Sequence, residues 1–165
     1  MSKLSFIGVD PGISGAVAIY HPDTRNIDVL DIPIIETKAA GRKTVRREIN
    51  EPVLSKWIAC HYGRSAVAYV EQVGAMPRQG VSSMFRFGMA YGMVRGMLTA
   101  HGIPYALVTP RKWKGKMGLG SHKDEARLIA SRMFPDQSFL FDRKKDAHRA
   151  EAVLIAVYGS KHGEL

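Results

Sequence analysis

A chain of 165 residues with 45% hydrophobic and 24% charged content fits one globular domain with a single core, and none of its apolar runs approaches the ~20 residues of a membrane span. Its one cysteine, Cys60, excludes an intramolecular disulfide and is expected in the core; the opening "MSKLSFIGVD" enters a strand directly with no secretory signal, so a cytoplasmic protein is expected. A net charge of +9 and a pI near 9.8 point to a polyanionic partner.

Residues 4–9 ("LSFIGV") and 15–20 ("GAVAIY") read as two buried strands joined by the turn "DPGIS". "NIDVLDIPII" (26–35) reads as a third strand, and the short connections imply an antiparallel meander. Residues 36–49 read as a basic loop, in which "TKAAGRKTVRR" (37–47) holds five cations and no acid. "NEPVLSKWIACHYG" (50–63) reads as a helix with Asn50 as N-cap, Pro52 in its first turn and Gly63 past its end. "SAVAYVEQV" (65–73) is a fourth strand, 80–102 a long helix and "IPYALVTP" (103–110) a fifth strand. Between this strand and the next helix, "PRKWKGK" (110–116) sets four cations around a tryptophan, a mixture suited to phosphates and stacked bases. "HKDEARLIASRMF" (122–134) and "DAHRAEAVLIAVYG" (146–159) read as the last helices, the second overlapping the basic "DRKKDAHR" (142–149). The order β-β-β-α-β-α-β-α-α predicts an α/β fold: a five-stranded mixed sheet, its first three strands antiparallel, with helices on both faces.

Two acids fall at predicted strand ends. Asp10 follows the first strand and Glu71 ends the apolar run "AVAYV" of the fourth. Asp before Pro-Gly is also ordinary turn chemistry, whereas Glu71 has no local reason to be there. If the two strands are neighbours, both carboxylates meet at the edge where ligands of open α/β sheets bind. In the last helix His148 and Glu151 are three residues apart and share a face. Asp146 reads most simply as an N-cap, and His148 and Glu151 as a solvated first turn, but Glu151 sits between Ala150 and Ala152 ahead of "VLIAV", a setting suited to an inward-facing carboxylate. Three distant acids and a histidine on a basic chain suggest bound divalent cations, Mg²⁺ above all, serving phosphodiester cleavage.

In "GVDPGISGAVA" (8–18), "AYVEQVGAMPRQG" (68–80), "TPRKWKGKMGLGSHKDEA" (109–126) and "DAHRAEAVLIAVYG" (146–159) the chain resembles the RuvC-type Holliday junction resolvases, especially the compact forms of bacteria and their phages. The matching pieces span nearly the whole chain in the family's order. The resemblance implies a ribonuclease H-like fold in a single domain over 1–165. It also implies a homodimeric endonuclease that nicks paired strands of four-way junctions and other branched DNA in a bacterial or phage-infected cell. Two Mg²⁺ ions per active site are implied, with Mn²⁺ able to substitute. Asp10 and Glu71 then match the metal-binding acids of the first and fourth strands, and Glu151 matches the final catalytic acid.

The position three before that acid is aspartate in many members and histidine in some, here His148; Asp146 is a further acid nearby. Both stand as candidates for the fourth catalytic and metal-binding residue, His148 ahead because it alone has the helical spacing to Glu151. Histidine there suits a proton acceptor, or a ligand to Mn²⁺. Lys114 and Lys123 fall where members place lysines near the scissile phosphate, though both also read as surface charge. With Arg42, Lys43, Arg46, Arg47, Arg78, Arg111, Lys112 and Lys116 they make up the candidate DNA-binding cations. Gly74 stands where some members carry an aromatic wedge, with Met76, Phe85 and Phe87 as replacement or core residues. Gly88, Gly92 and Gly96 form a flat helical stripe; on residues alone it packs on the chain's own sheet, whereas the resemblance implies a dimer interface.

Two other classes are weighed against this reading. A non-catalytic branched-DNA-binding module would keep the basic face but need no Glu71 and Glu151 aimed at Asp10. "DPGISG" is also similar to the phosphate loop of actin-like phosphotransferases, but those need two such domains and 165 residues are too few.

Overall fold

The computed structural model describes residues 4–38, 40–41, 45–60, 65–74, 80–120, 122 and 124–163. Strands β1 (Ser5–Asp10), β2 (Ala16–His21), β3 (Asn26–Asp31), β6 (Ala66–Glu71) and β7 (Tyr105–Val108) form one sheet in the order β3-β2-β1-β6-β7. The meander β1-β2-β3 is antiparallel, and β6 and β7 add to it in parallel, as the alternation with helices predicts.

The period of two along the strands sorts their side chains into two cores. Ile7, Val9, Val17, Ile19, Ala68 and Val70 point to one face. There Leu54 and Ile58 of α1 (Glu51–Ala59) and Ala90, Val94 and Leu98 of α2 (Val81–Ala100) cover them. Phe6, Ala16, Ala18 and Tyr69 point to the other, covered by α3 (Pro110–Lys116), α4 (Glu125–Met133) and α5 (Ala147–His162). Helix α5 is the centre of that second core, since every residue from Ala152 to Gly159 is buried. A helix apolar on all sides belongs inside the molecule. It lies against β1 at Gly8, where any Cβ would overlap the Ala152 carbonyl oxygen and the Ala156 amide nitrogen.

Three expectations need correction, and residues 110–116, assigned no element from the sequence, gain one. The strand expected over 26–35 stops at Asp31, because Pro33 has no N–H to continue a ladder. Chain expected to be a loop over 36–49 instead forms most of a separate hairpin, β4 (Ile34–Lys38) with β5 (Val45–Ile49). Its strands are exposed except at Ile49, so no buried face imposed an alternating pattern for the sequence to show. Residues 110–116 are helical: Thr109 Oγ1 accepts from the Lys112 amide at 3.3 Å and Pro110 takes the first helical position. Cys60 is exposed, as the residue that ends α1. Among the described residues no helix is long and apolar enough to cross a membrane.

Candidate active site

The parity that places Phe6 and Gly8 on the α5 face places Asp10 there too, and Glu71 follows Tyr69 in the same way. Strands β1 and β6 run parallel in the register Val9↔Val70, so the two acids reach the C-terminal end of the ladder side by side. Both are buried, with 7% and 8% of their surface exposed. A buried carboxylate is costly without a partner. The partners come from the two helices that end at this edge.

Helix α5 brings His148 and Glu151. His148 Nδ1 lies 2.6 Å from Asp10 Oδ2. The close contact at Gly8, a turn deeper along α5, sets that reach. One oxygen each of Asp10 and Glu151 and one ring nitrogen of His148 lie within 4.8 Å of one another. Helix α3 brings the next two residues. The Trp113 indole donates from Nε1 to Glu71 Oε1 at 2.8 Å, and the Lys114 ammonium donates to Glu151 Oε1 at 2.8 Å. Trp113 is wholly buried, so losing this acceptor would orphan its N–H at a cost of about 1–3 kcal/mol.

The electrostatics are those of crowded acids. Burial pushes the Asp10 and Glu71 carboxyls above their ordinary values, the Glu151 charge adds to the rise in both and the Asp10 charge to that of Glu71, and the His148 and Trp113 hydrogen bonds oppose it. The hydrogen bond to Asp10 raises His148. Burial pulls Lys114 down, but the Glu151 hydrogen bond and the charges of Glu151, Glu71 and Asp10 together hold it above the ordinary lysine value. Asp10 is thus a carboxylate that burial makes reluctant to ionise, beside an imidazole that the carboxylate makes reluctant to deprotonate. The acids hold Lys114 and His148 in their positively charged forms, and the carboxylate oxygens fit a hard divalent cation such as Mg²⁺, with the imidazole nitrogen a further ligand only for an ion such as Mn²⁺.

Asp146 lies outside this cluster. Its carboxylate takes the Arg143 amide and the Arg143 guanidinium, each at 2.9 Å, with Arg149 at 3.7 Å. Burial raises its carboxyl, but the Arg143 hydrogen bonds and the two arginine charges bring it below the ordinary value. Arg149 also grips Asp31 with two 2.6 Å bonds, tying the start of α5 to β3.

Two clefts meet at His148. One, of about 570 Å³, holds Asp10, Glu71 and the "PGISG" turn, with Arg47, Ser83, Arg86 and Phe87 across from them. The other, of about 540 Å³, holds Glu151 and Lys114 with His122, Asp124 and Lys144. Gly12 adopts a φ of +144°, open only to glycine, and its open side faces the Phe87 ring at 3.5 Å. Of the candidate DNA-binding cations, Lys114 is inside the site and Arg47 lines the first cleft while paired with Glu36 at 2.8 Å. Arg46 pairs with Glu48 at 2.7 Å on the hairpin, and Arg111, Lys112 and Lys116 are exposed on α3. Arg42, Lys43, Arg78, Lys123 and Met76 lie outside the described residues. Phe85 is exposed and Phe87 half-buried.

Gly88, Gly92 and Gly96 face away from the sheet, which corrects the reading from residues alone: a Cβ on any of them meets nothing within 4 Å. Sequence reasoning missed Trp113 as a partner of Glu71, Lys114 as a partner of Glu151, and Arg86. The cap "TPRK" would have revealed α3, and the spacing of Ser83, Arg86, Phe87 and Ala90 would have put Arg86 on the sheet side of α2.

No protein-family model matches the chain. Over 92 residues, 54% of the chain, it is 32% identical to the chloroplastic Holliday junction resolvase MOC1 of Chlamydomonas reinhardtii. The chain spans about a tenth of that relative's length. Among solved structures it is similar to RuvC of Thermus thermophilus in complex with a Holliday junction substrate, at a TM-score of 0.55 and 18% identity, covering 95% of this chain and 92% of that one. A second Thermus thermophilus RuvC structure gives a TM-score of 0.52 at 14% identity, covering 96% of both chains. The fold is that of the RuvC resolvases, a ribonuclease H-like mixed sheet between two layers of helices.

Proposed function

We propose that the chain is a metal-dependent endodeoxyribonuclease that resolves Holliday junctions and other branched DNA, nicking paired strands as a homodimer. The observation that carries this reading is the meeting of Asp10, Glu71, His148 and Glu151 at one sheet edge, in the fold of a RuvC solved with a Holliday junction. Asp10, Glu71 and Glu151 would hold the divalent cations, Mg²⁺ or Mn²⁺ and two per site. When bound, these supply a polarised water and offset the charge on the phosphate and the leaving oxygen.

His148 keeps Nδ1 on Asp10, which leaves Nε2 as the nitrogen that accepts the proton of the attacking water once the ring is neutral. Lys114 brings an ammonium to the acids' rim, where a phosphate oxygen is its alternative partner to Glu151. Asp146 acts as a positioning residue, since it fixes the turn that opens α5 two residues before His148. Arg47 and Arg86 in one cleft and Lys114 and Lys144 in the other give a DNA strand cations on both sides of the acids. Arg46, Arg111, Lys112 and Lys116, with the sequence-assigned Arg42, Lys43, Arg78 and Lys123, extend that surface. Two copies would meet on α2, whose glycine stripe is accompanied by the exposed Val81, Phe85 and Met89.

The test is cleavage of matched four-way, three-way, flap and linear duplex DNA in Mg²⁺. Paired nicks are expected on the four-way junction, none in EDTA, and little cutting of linear duplex. Asp10→Asn is expected to abolish cleavage while junction affinity holds, and His148→Ala to slow cleavage about 10²–10⁴-fold. Loss of junction binding in Asp10→Asn with the fold intact would show that the acid is not primarily catalytic.

A further inference from the structure

Trp113 is the largest fully buried side chain of the chain's described part. Its ring shares a core cluster with Ala150 and Val153 of α5, and its indole N–H can only donate. That N–H ends on one oxygen of Glu71, 2.8 Å away. The next residue, Lys114, reaches Glu151 at the same distance, and its ammonium also lies 5.2 Å from the centre of the Trp113 ring. A single seven-residue helix thus holds both Glu71 and Glu151 by different donors on adjacent residues.

A carboxylate offers two oxygens and a freely turning plane. With Oε1 held by the N–H of a ring packed in the core, the turning of the Glu71 carboxylate is restrained, and Oε2 is the oxygen without that donor. We propose that Trp113 is a positioning residue, which orients Glu71 as a one-oxygen metal ligand and makes α3 the element that sets the geometry of the metal site. The inference rests on the metal-dependent reading above. Groups that hydrogen-bond a ligating carboxylate change metal affinity or activity about 10–100-fold when removed.

The experiment measures Mn²⁺ affinity of the DNA-free protein by calorimetry, for the wild type and for Trp113→Phe, which keeps most of the ring and loses the N–H. Circular dichroism in EDTA checks the fold, and junction affinity in EDTA checks the DNA surface. A 10–100-fold weaker Mn²⁺ affinity with fold and junction affinity unchanged is the expected result. Equal affinity in the two proteins would overturn the role of Trp113 and leave the metal site standing. A wild type that binds no Mn²⁺ would overturn the metal reading itself, and this inference with it. If Trp113→Phe fails to fold, benzothienylalanine placed at position 113 alone, with sulfur in place of the N–H and nearly the same shape, decides by the same comparison.

Discussion

His148 and Asp10 lie 138 residues apart in sequence and share one short hydrogen bond, so the proton affinity of each depends on the other. The bond to Asp10 is the largest influence raising His148 above the ordinary histidine value. In the metal-free protein the His148 ring is therefore expected to titrate above 6.5, and Asp10→Asn to bring it down toward 6.5, followed through the ring proton signals by NMR. The sign carries over to stability: a raised folded-state value means that the contribution of His148 is fully present below pH 6.5 and lost as pH rises through the raised value. An unmoved titration in Asp10→Asn would show that the carboxylate is not the cause. Asp10 and Glu71 were legible in the sequence because each broke a local pattern, a charge at the end of an apolar run. Trp113 was not, because a tryptophan in a basic stretch reads equally as a base-stacking ring, and only the packing of α3 turns it inward.

Helix α5 owes its place to a missing side chain on another element. Gly8 → Ala would put a methyl group into the backbone of α5 at Ala152 and Ala156, where no flexible side chain can yield. Urea unfolding is expected to show a loss of about 1–3 kcal/mol, the usual cost of overpacking, or more. Cleavage at saturating junction is expected to fall as well in the folded fraction, because a shifted α5 carries His148 and Glu151 off Asp10. A stable variant with full activity would mean that α5 adapts. The sheet order and helix layers were readable because core strands and α5 carry strong apolar patterns. The β4-β5 hairpin was not: its central cross-strand pairs, Glu36 with Arg47 and Thr37 with Arg46, are polar, and all its strand residues but Ile49 are exposed. Helix α3 was readable in principle from its cap, but its cations drew the reading toward DNA contact.

For the molecule as a whole, filling the glycine stripe of α2 acts with opposite signs on one chain and on two. Gly92 lies mid-helix with open space at its Cβ. In a lone chain Gly92→Ala should therefore stabilise α2 by up to about 1 kcal/mol, the helix-propensity difference. If the stripe is the seat of a second copy, the added methyl groups hold two backbones apart and the dimer weakens. Sedimentation of Gly92→Ala is expected to show a higher monomer fraction at equal concentration, alongside higher stability of the dilute monomer in urea. An unchanged dimer would move the interface elsewhere. The stripe itself was visible in the sequence. Which way it faced was not, because glycine leaves no hydropathy signal to tell a buried face from an exposed one.

The central position of α5 also orders events during synthesis. Asp10 and Glu71 leave the ribosome early, whereas His148 and Glu151 arrive on the helix that fills the second core. A nascent or truncated chain that stops before residue 147 lacks the helix at the centre of the second core and leaves Asp10 without His148. The last helix to be made therefore completes the second core and the Asp10–His148–Glu151 cluster together.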